Sequence, residues 1–159
     1  MKRIVTMLGT SSLAALLGLA VAADVPGARY TPQEIDALPS HEAGAGTSGV
    51  AGMRTTLMLG DPAQPGLYTI RITVPAHTKI AAHTHRGTRS ATVAAGDWYF
   101  GYGRQADASA LKHLTAGSYY LEPDGVPHFA ETRDSAAVIY ITGMGPTDTV
   151  YVSAPAATR

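Results

Sequence analysis

The sequence predicts an all-β fold, a sandwich or barrel of short strands with an N-terminal arm. Three observations carry this. From residue 51 onward no run has convincing helical periodicity. Tyr68, Ile70, Ile72 and Val74 alternate with Thr69, Arg71 and Thr73, the period of two that puts alternate side chains on one face of a strand. With 17 glycines and 10 prolines in 159 residues, turn clusters recur between the apolar runs.

The first segment is an address rather than structure. Lys2 and Arg3 precede an uncharged run from Ile4 to Ala23, densest from Leu13, which ends on Ala20-Val21-Ala22. A basic start, an apolar run and a small-x-small end are the pattern of a cleavable secretory signal. The run is long enough to span a bilayer. Gly9, Thr10, Ser11 and Ser12 weaken that alternative, and the small residues at its end favour cleavage. The expected organisation is a signal peptide over residues 1–23, a flexible arm over 24–50, a barrel domain over 51–153 and a tail over 154–159. Cleavage places the protein in the periplasm or the medium, with no stable membrane insertion afterwards.

Within the arm, Thr31-Pro32-Gln33-Glu34 has a capping residue, a proline at the first helical position and a glutamate at the third. It predicts a short helical turn from Pro32 to Leu38, and Gly44 to Gly49 reads as flexible. Strands are expected at Met53–Leu59, Tyr68–Val74, Ile80–His85, Arg89–Ala94, Trp98–Tyr102, Leu111–Leu114, Tyr119–Glu122, His128–Thr132, Val138–Thr142 and Thr149–Val152. Turns fall at Asp61–Gly66, Ala95–Asp97, Gly103–Ser109, Ala116-Gly117, Pro123–Gly125 and Arg133–Ser135.

Composition excludes several functions. Twelve cations balance twelve anions, so there is no electrostatic footprint for nucleic acid. With no cysteine, there are no disulfides, thiolate metal sites or cysteine nucleophile. There is no hydrolase elbow, phosphate loop or zinc-protease helix, and Gly101-Tyr102-Gly103 is too short for a dinucleotide site.

The histidines carry the candidate chemistry. His83-Thr84-His85 puts two imidazoles on one face of a strand. Neutral imidazole is a common ligand for transition metals. A third ligand is best supplied by His128, fixed behind the turn Pro123-Asp124-Gly125-Val126-Pro127. His77, His113 and His41 read as turn, solvent-facing and arm residues. Glu131 lies three residues beyond His128, so alternation puts it on the opposite face. Trp98, Phe100 and Tyr102 share a face, and one of Tyr119 and Tyr120 is expected to be buried.

At these residues the sequence resembles the cupin superfamily. The first cupin motif is Gly, five residues, His-x-His, three or four residues, Glu, six residues, Gly; His83, His85 and Gly96 match it. The second is Gly, five residues, Pro-x-Gly, two residues, His, three residues, Asn; Gly117, Pro123, Gly125 and His128 match it at the family spacing. The resemblance implies a double-stranded β-helix, or jelly-roll barrel, with a divalent transition metal (Fe, Mn, Ni, Cu or Zn) held by His83, His85 and His128. It also implies a small-molecule ligand and a homodimer, in which the arm extends an edge strand of a partner.

Three departures bear on the site. His77 stands at the opening glycine, Thr132 at the closing asparagine and Arg89 at the glutamate. A guanidinium about 5 Å from a divalent ion repels it by roughly 6 kcal/mol at an effective dielectric near 20. Arg89 therefore either swings away from a three-histidine site, binds an anionic ligand within it, or marks a site without metal. Three functions follow: a metal-dependent enzyme of oxygenase, decarboxylase or isomerase type, a non-catalytic binder of a metal or small ligand, and a metal-free epimerase-like site with a histidine base and a tyrosine acid.

Overall fold

The computed structural model describes residues 27–152. The expected signal peptide over 1–23 and the expected tail over 154–159 lie outside the described residues. The arm contributes α1 (Pro32–Asp36) and β1 (Ser40–His41). Thr31 caps α1: its side chain accepts from the Glu34 N–H while the Glu34 carboxylate accepts from the Thr31 N–H, the reciprocal box that the sequence predicts. The barrel follows as β2 (Arg54–Leu59), β3 (Gly66–Val74), β4 (Lys79–Thr84), β5 (Arg89–Ala95), β6 (Trp98–Tyr102), β7 (Lys112–Leu114), β8 (Tyr119–Glu122), β9 (His128–Glu131), β10 (Ala137–Gly145) and β11 (Val150–Tyr151).

These strands form two antiparallel sheets, in the orders β1-β2-β3-β10-β5-β8 and β11-β4-β9-β6-β7. Strand alternation builds the core between them. Tyr68, Ile70, Ile72 and Val74 of β3 are buried, as are Ala137, Ile139 and Ile141 of β10, their register partners or near neighbours. Trp98 and Phe100 of β6 and Ile80 of β4 meet them from the second sheet. The arm's β1 pairs with β2 of its own chain, Ser40 opposite Thr56.

The motif positions have physical reasons here. Gly96 has φ +73°, and a Cβ there would lie 1.9 Å from the Ala136 carbonyl oxygen, so only glycine fits this turn. His77, at the motif's opening glycine, takes φ +57°. That left-handed conformation is one histidine tolerates better than most side chains, and its N–H donates to the Arg133 carbonyl at 2.8 Å. Thr132, at the motif's asparagine, is buried; it accepts from the Thr78 N–H at 3.0 Å and donates to the Pro75 carbonyl. Both departures therefore keep the turn between β3 and β4 in place.

Candidate metal centre

Backbone pairing brings the histidines together. His83 on β4 lies directly opposite His128 on β9. His85 follows β4, where two turns are laced to each other. The Gly125 N–H donates to the His85 carbonyl at 3.0 Å, the Gly87 N–H to Asp124 Oδ1 at 2.8 Å, and the Asp124 N–H to Thr88 Oγ1 at 3.2 Å. The turn before His128 thus fixes the chain after His85. All three imidazoles are buried, and each offers a ring nitrogen within 4.8 Å of the others.

The hydrogen bonds set which nitrogen faces inward. His83 Nδ1 lies 2.7 Å from the Ala81 carbonyl oxygen, His85 Nδ1 2.6 Å from that of Asp148, and His128 Nδ1 2.9 Å from that of Val126. A carbonyl only accepts, so each Nδ1 carries the proton and each Nε2 keeps its lone pair. The Nε2 atoms of His85 and His128 are buried with no protein partner. Burial lowers the pKa of His83 to about 4 and of His85 to about 3, against the opposing pull of their carbonyl bonds, and it lowers His128 as well. The rings are neutral at pH 7. Lone pairs converging on one enclosed space, with nothing to donate to them, fit a cation.

A buried carboxylate from another strand lies beside the three histidines, outside the group whose nitrogens converge. Arg89 on β5 is register partner to Glu122 on β8. Both point inward, 3 % and 4 % exposed. Arg89 Nε donates to Glu122 Oε2 at 2.6 Å, and a second guanidinium nitrogen closes the pair. Glu122 Oε1 lies 3.9 Å from His128 Nε2, and Oε2 lies 3.9 Å from His85 Nε2. Burial, the largest single influence, raises the Glu122 pKa; the Arg89 guanidinium together with His128 and His85 outweighs it and holds the carboxyl below its usual range. The arrangements expected for Arg89 do not include a carboxylate partner from the protein itself. Arg89 is buried at the site, and the anion it grips is the protein's own carboxylate.

Room for the Arg89 side chain comes from Gly143 on β10, where a Cβ would lie 3.1 Å from Arg89 Cγ and 2.8 Å from the Tyr68 hydroxyl. Sequence reasoning passed over Glu122. Its signal was parity: it shares a face with Tyr120, two residues earlier, and Tyr120 is the buried tyrosine of the pair. Glu131 points away and pairs with Arg133, as alternation predicts, while His113 is exposed and bonded to Asp97.

A strap from the arm closes the site. Gly46, Thr47 and Ser48 line the same cavity as the histidines, Arg89 and Glu122. Three consecutive strap carbonyls are held by barrel side chains: Arg89 donates to Gly46, Thr149 Oγ1 to Thr47 at 2.9 Å, and the Tyr151 hydroxyl to Ser48. Gly46 and Thr47 are buried, so the stretch read from its glycines as flexible is pinned here. The cavity beneath measures about 30 Å³, room for one or two water-sized groups.

Two facing antiparallel sheets in these orders, with histidines from β4 and β9 meeting between them, define a cupin-fold protein with a three-histidine centre. Comparison with solved structures agrees on the fold. An RmlC-like cupin from Shewanella frigidimarina superposes with TM-score 0.52 at 17 % identity, over 69 % of this chain and 85 % of that one. A cupin-superfamily sugar phosphate isomerase from Silicibacter pomeroyi gives 0.54 at 12 % identity, over 70 % and 74 %. A salicylate 1,2-dioxygenase from Pseudaminobacter salicylatoxidans gives 0.52 at 15 % identity, over 64 % and 31 %. No protein-family model and no curated protein matches the sequence.

Proposed function

We propose that this chain is an exported cupin that binds one divalent transition metal through His83, His85 and His128, and that the metal serves an enzyme acting on a small, anionic molecule. The observation that carries the reading is the set of three imidazoles with Nδ1 tied to backbone carbonyls and Nε2 turned to one buried space. Fixing the far nitrogen in this way is how proteins preset histidine ligands. Glu122 Oε1 faces the same space while its partner oxygen is held by Arg89.

A bound divalent ion supplies Lewis acidity or, for a redox-active metal, electron transfer. The chain's own residues hold the imidazoles neutral, neutralise Arg89 through Glu122, and exclude bulk water by means of the strap. Sugar phosphate isomerase and salicylate dioxygenase chemistries both occur on this fold among the neighbours. The reaction class proposed is accordingly oxygenase, decarboxylase or isomerase.

The second reading is a non-catalytic metal or small-ligand binder. The 30 Å³ cavity favours it, since a substrate of several atoms requires the strap to move. The metal-free epimerase reading has less support, because the Nδ1 partners are backbone carbonyls rather than the carboxylate that such a base requires.

The test is elemental analysis of the natively exported protein. The expected result is one transition-metal ion per chain, lost in the His83→Ala, His128→Ala double variant. Unchanged metal content in that variant would reject the ligand assignment. Export rests on Lys2, Arg3 and the uncharged run to Ala23; a mature N-terminus at Ala23 or Asp24 is the expected product.

A further inference from the structure

A second, larger cleft opens at the edges of the two sheets. β7 and β8 are edge strands, one in each sheet. Residues of both, together with β6, line a cleft of about 320 Å³ that holds no histidine and no residue of the strap. Phe100 and Tyr120 line this cleft and the metal chamber alike. The volume lies at the small end of the range for organic ligands, about 300–1,000 Å³, which suits a single-ring molecule.

Rings and one cation make up the chemistry of this cleft. Phe100 stands edge-on to Tyr102 with ring centroids 5.2 Å apart, and its ring lies 4.3 Å from that of Tyr120. The Tyr102 hydroxyl donates to the Leu121 carbonyl at 2.6 Å, which ties the end of β6 to the edge strand of the other sheet and holds that ring in place. Tyr119 also lines the cleft and is 62 % exposed, so the protein itself leaves most of this side chain uncovered. Lys112 is the register partner of Phe100, so the two side chains share the inner face of the sheet. No carboxylate lines the cleft, and Lys112 forms no ion pair among the described residues. A cationic ligand would find no counter-charge here. An ammonium beside several rings, with no anion of the protein to meet it, suits a ligand that joins a carboxylate to a flat apolar body.

We propose that this cleft is a binding site for a small aromatic carboxylic acid, with the carboxylate on the Lys112 ammonium and the ring against Phe100, Tyr102 and Tyr119. The site is built from its own residues and does not require the metal.

The experiment titrates the exported protein with benzoate in an isothermal calorimeter, with and without chelator. The expected result is saturable binding of equal strength in both conditions. Benzamide keeps the ring and loses the charge, and acetate keeps the charge and loses the ring; each binds about tenfold more weakly or worse. Lys112→Met weakens benzoate binding by about tenfold or more, and Lys112→Arg returns it to within about threefold. Tyr119→Ala weakens it by about threefold or more. Both positions are exposed, so these variants keep the parent's melting temperature and metal content. The absence of saturable benzoate binding overturns the proposal, as does binding undiminished in Lys112→Met and Tyr119→Ala. Benzamide or acetate binding as tightly as benzoate also overturns it, and so does benzoate binding that chelator abolishes, which would put the acid on the metal. Lys112 would then be an inward charge that guards β7 against edge pairing. Metal content is read separately: a chain without metal overturns the metal reading and leaves this site standing, while loss of benzoate binding leaves the metal reading standing.

Discussion

Replacing Arg89 by Met is expected to have opposite effects on the metal-free and metal-loaded protein. In the metal-free protein Arg89 and Glu122 are 3 % and 4 % exposed and hold each other's charge. Removing one partner of such a buried pair costs about 3–5 kcal/mol, because the other is left uncompensated. At roughly 3–4 °C per kcal/mol for a domain of this size, the melting temperature in the presence of chelator should fall by about 10–20 °C. With a divalent ion bound, the same change removes a like charge. A guanidinium roughly 6 Å from the ion repels it by about 5 kcal/mol at an effective dielectric near 20. Part of that gain goes to deprotonating Glu122, whose pKa rises once it is buried without Arg89. The net expectation at pH 8 is metal affinity tighter by on the order of 10–100-fold. Differential scanning calorimetry with and without chelator, and competition with a chromophoric chelator, measure the two effects. An unchanged melting temperature in chelator, or metal affinity that falls, would refute the account of Arg89 as the counter-charge of Glu122.

Two further outcomes follow from the same geometry. The histidine pKa values are depressed in the folded state, to about 4 for His83 and about 3 for His85. The unfolded chain takes up protons near 6.5 that the folded chain refuses. Stability is therefore complete above pH 6.5 and falls as the pH drops toward the folded values, by about 1.4 kcal/mol per pH unit for each such histidine. Melting curves of the metal-free protein from pH 7 to pH 4.5 check the slope, and a flat profile would contradict neutral, buried rings. At the strap, Gly46 has φ +72°, and a Cβ would lie 2.6 Å from Thr147 Cγ2. Gly46→Ala should cost about 1–2 kcal/mol and speed the release of bound metal to chelator; an unchanged release rate would mean the strap does not close the site.

Local signals made much of the fold legible. The alternation of Tyr68, Ile70, Ile72 and Val74 gave one face of β3 directly, and the capping box gave α1, though the helix stops at Asp36 rather than Leu38. β6 and β8 fall on the strands read from the sequence. The histidines were legible because His-x-His fixes two on one face and a rigid turn fixes the third. What the sequence hid was non-local. That Glu122 stands opposite Arg89 depends on the register of two strands some thirty residues apart. Side chains about a hundred positions downstream pin the strap at Thr47 and Ser48, through Thr149 and Tyr151. Glycine-rich composition describes the freedom of an isolated segment and says nothing of such partners.

The central claim is that imidazoles from β4 and β9, with the segment just after β4, share one ion. X-ray absorption at the metal edge of the loaded protein tests it most directly. The account predicts an inner shell containing three nitrogen ligands with the outer-shell scattering of imidazole rings, reduced by one ring in His128→Ala. A spectrum without imidazole scattering, or one unaltered by His128→Ala, would contradict it.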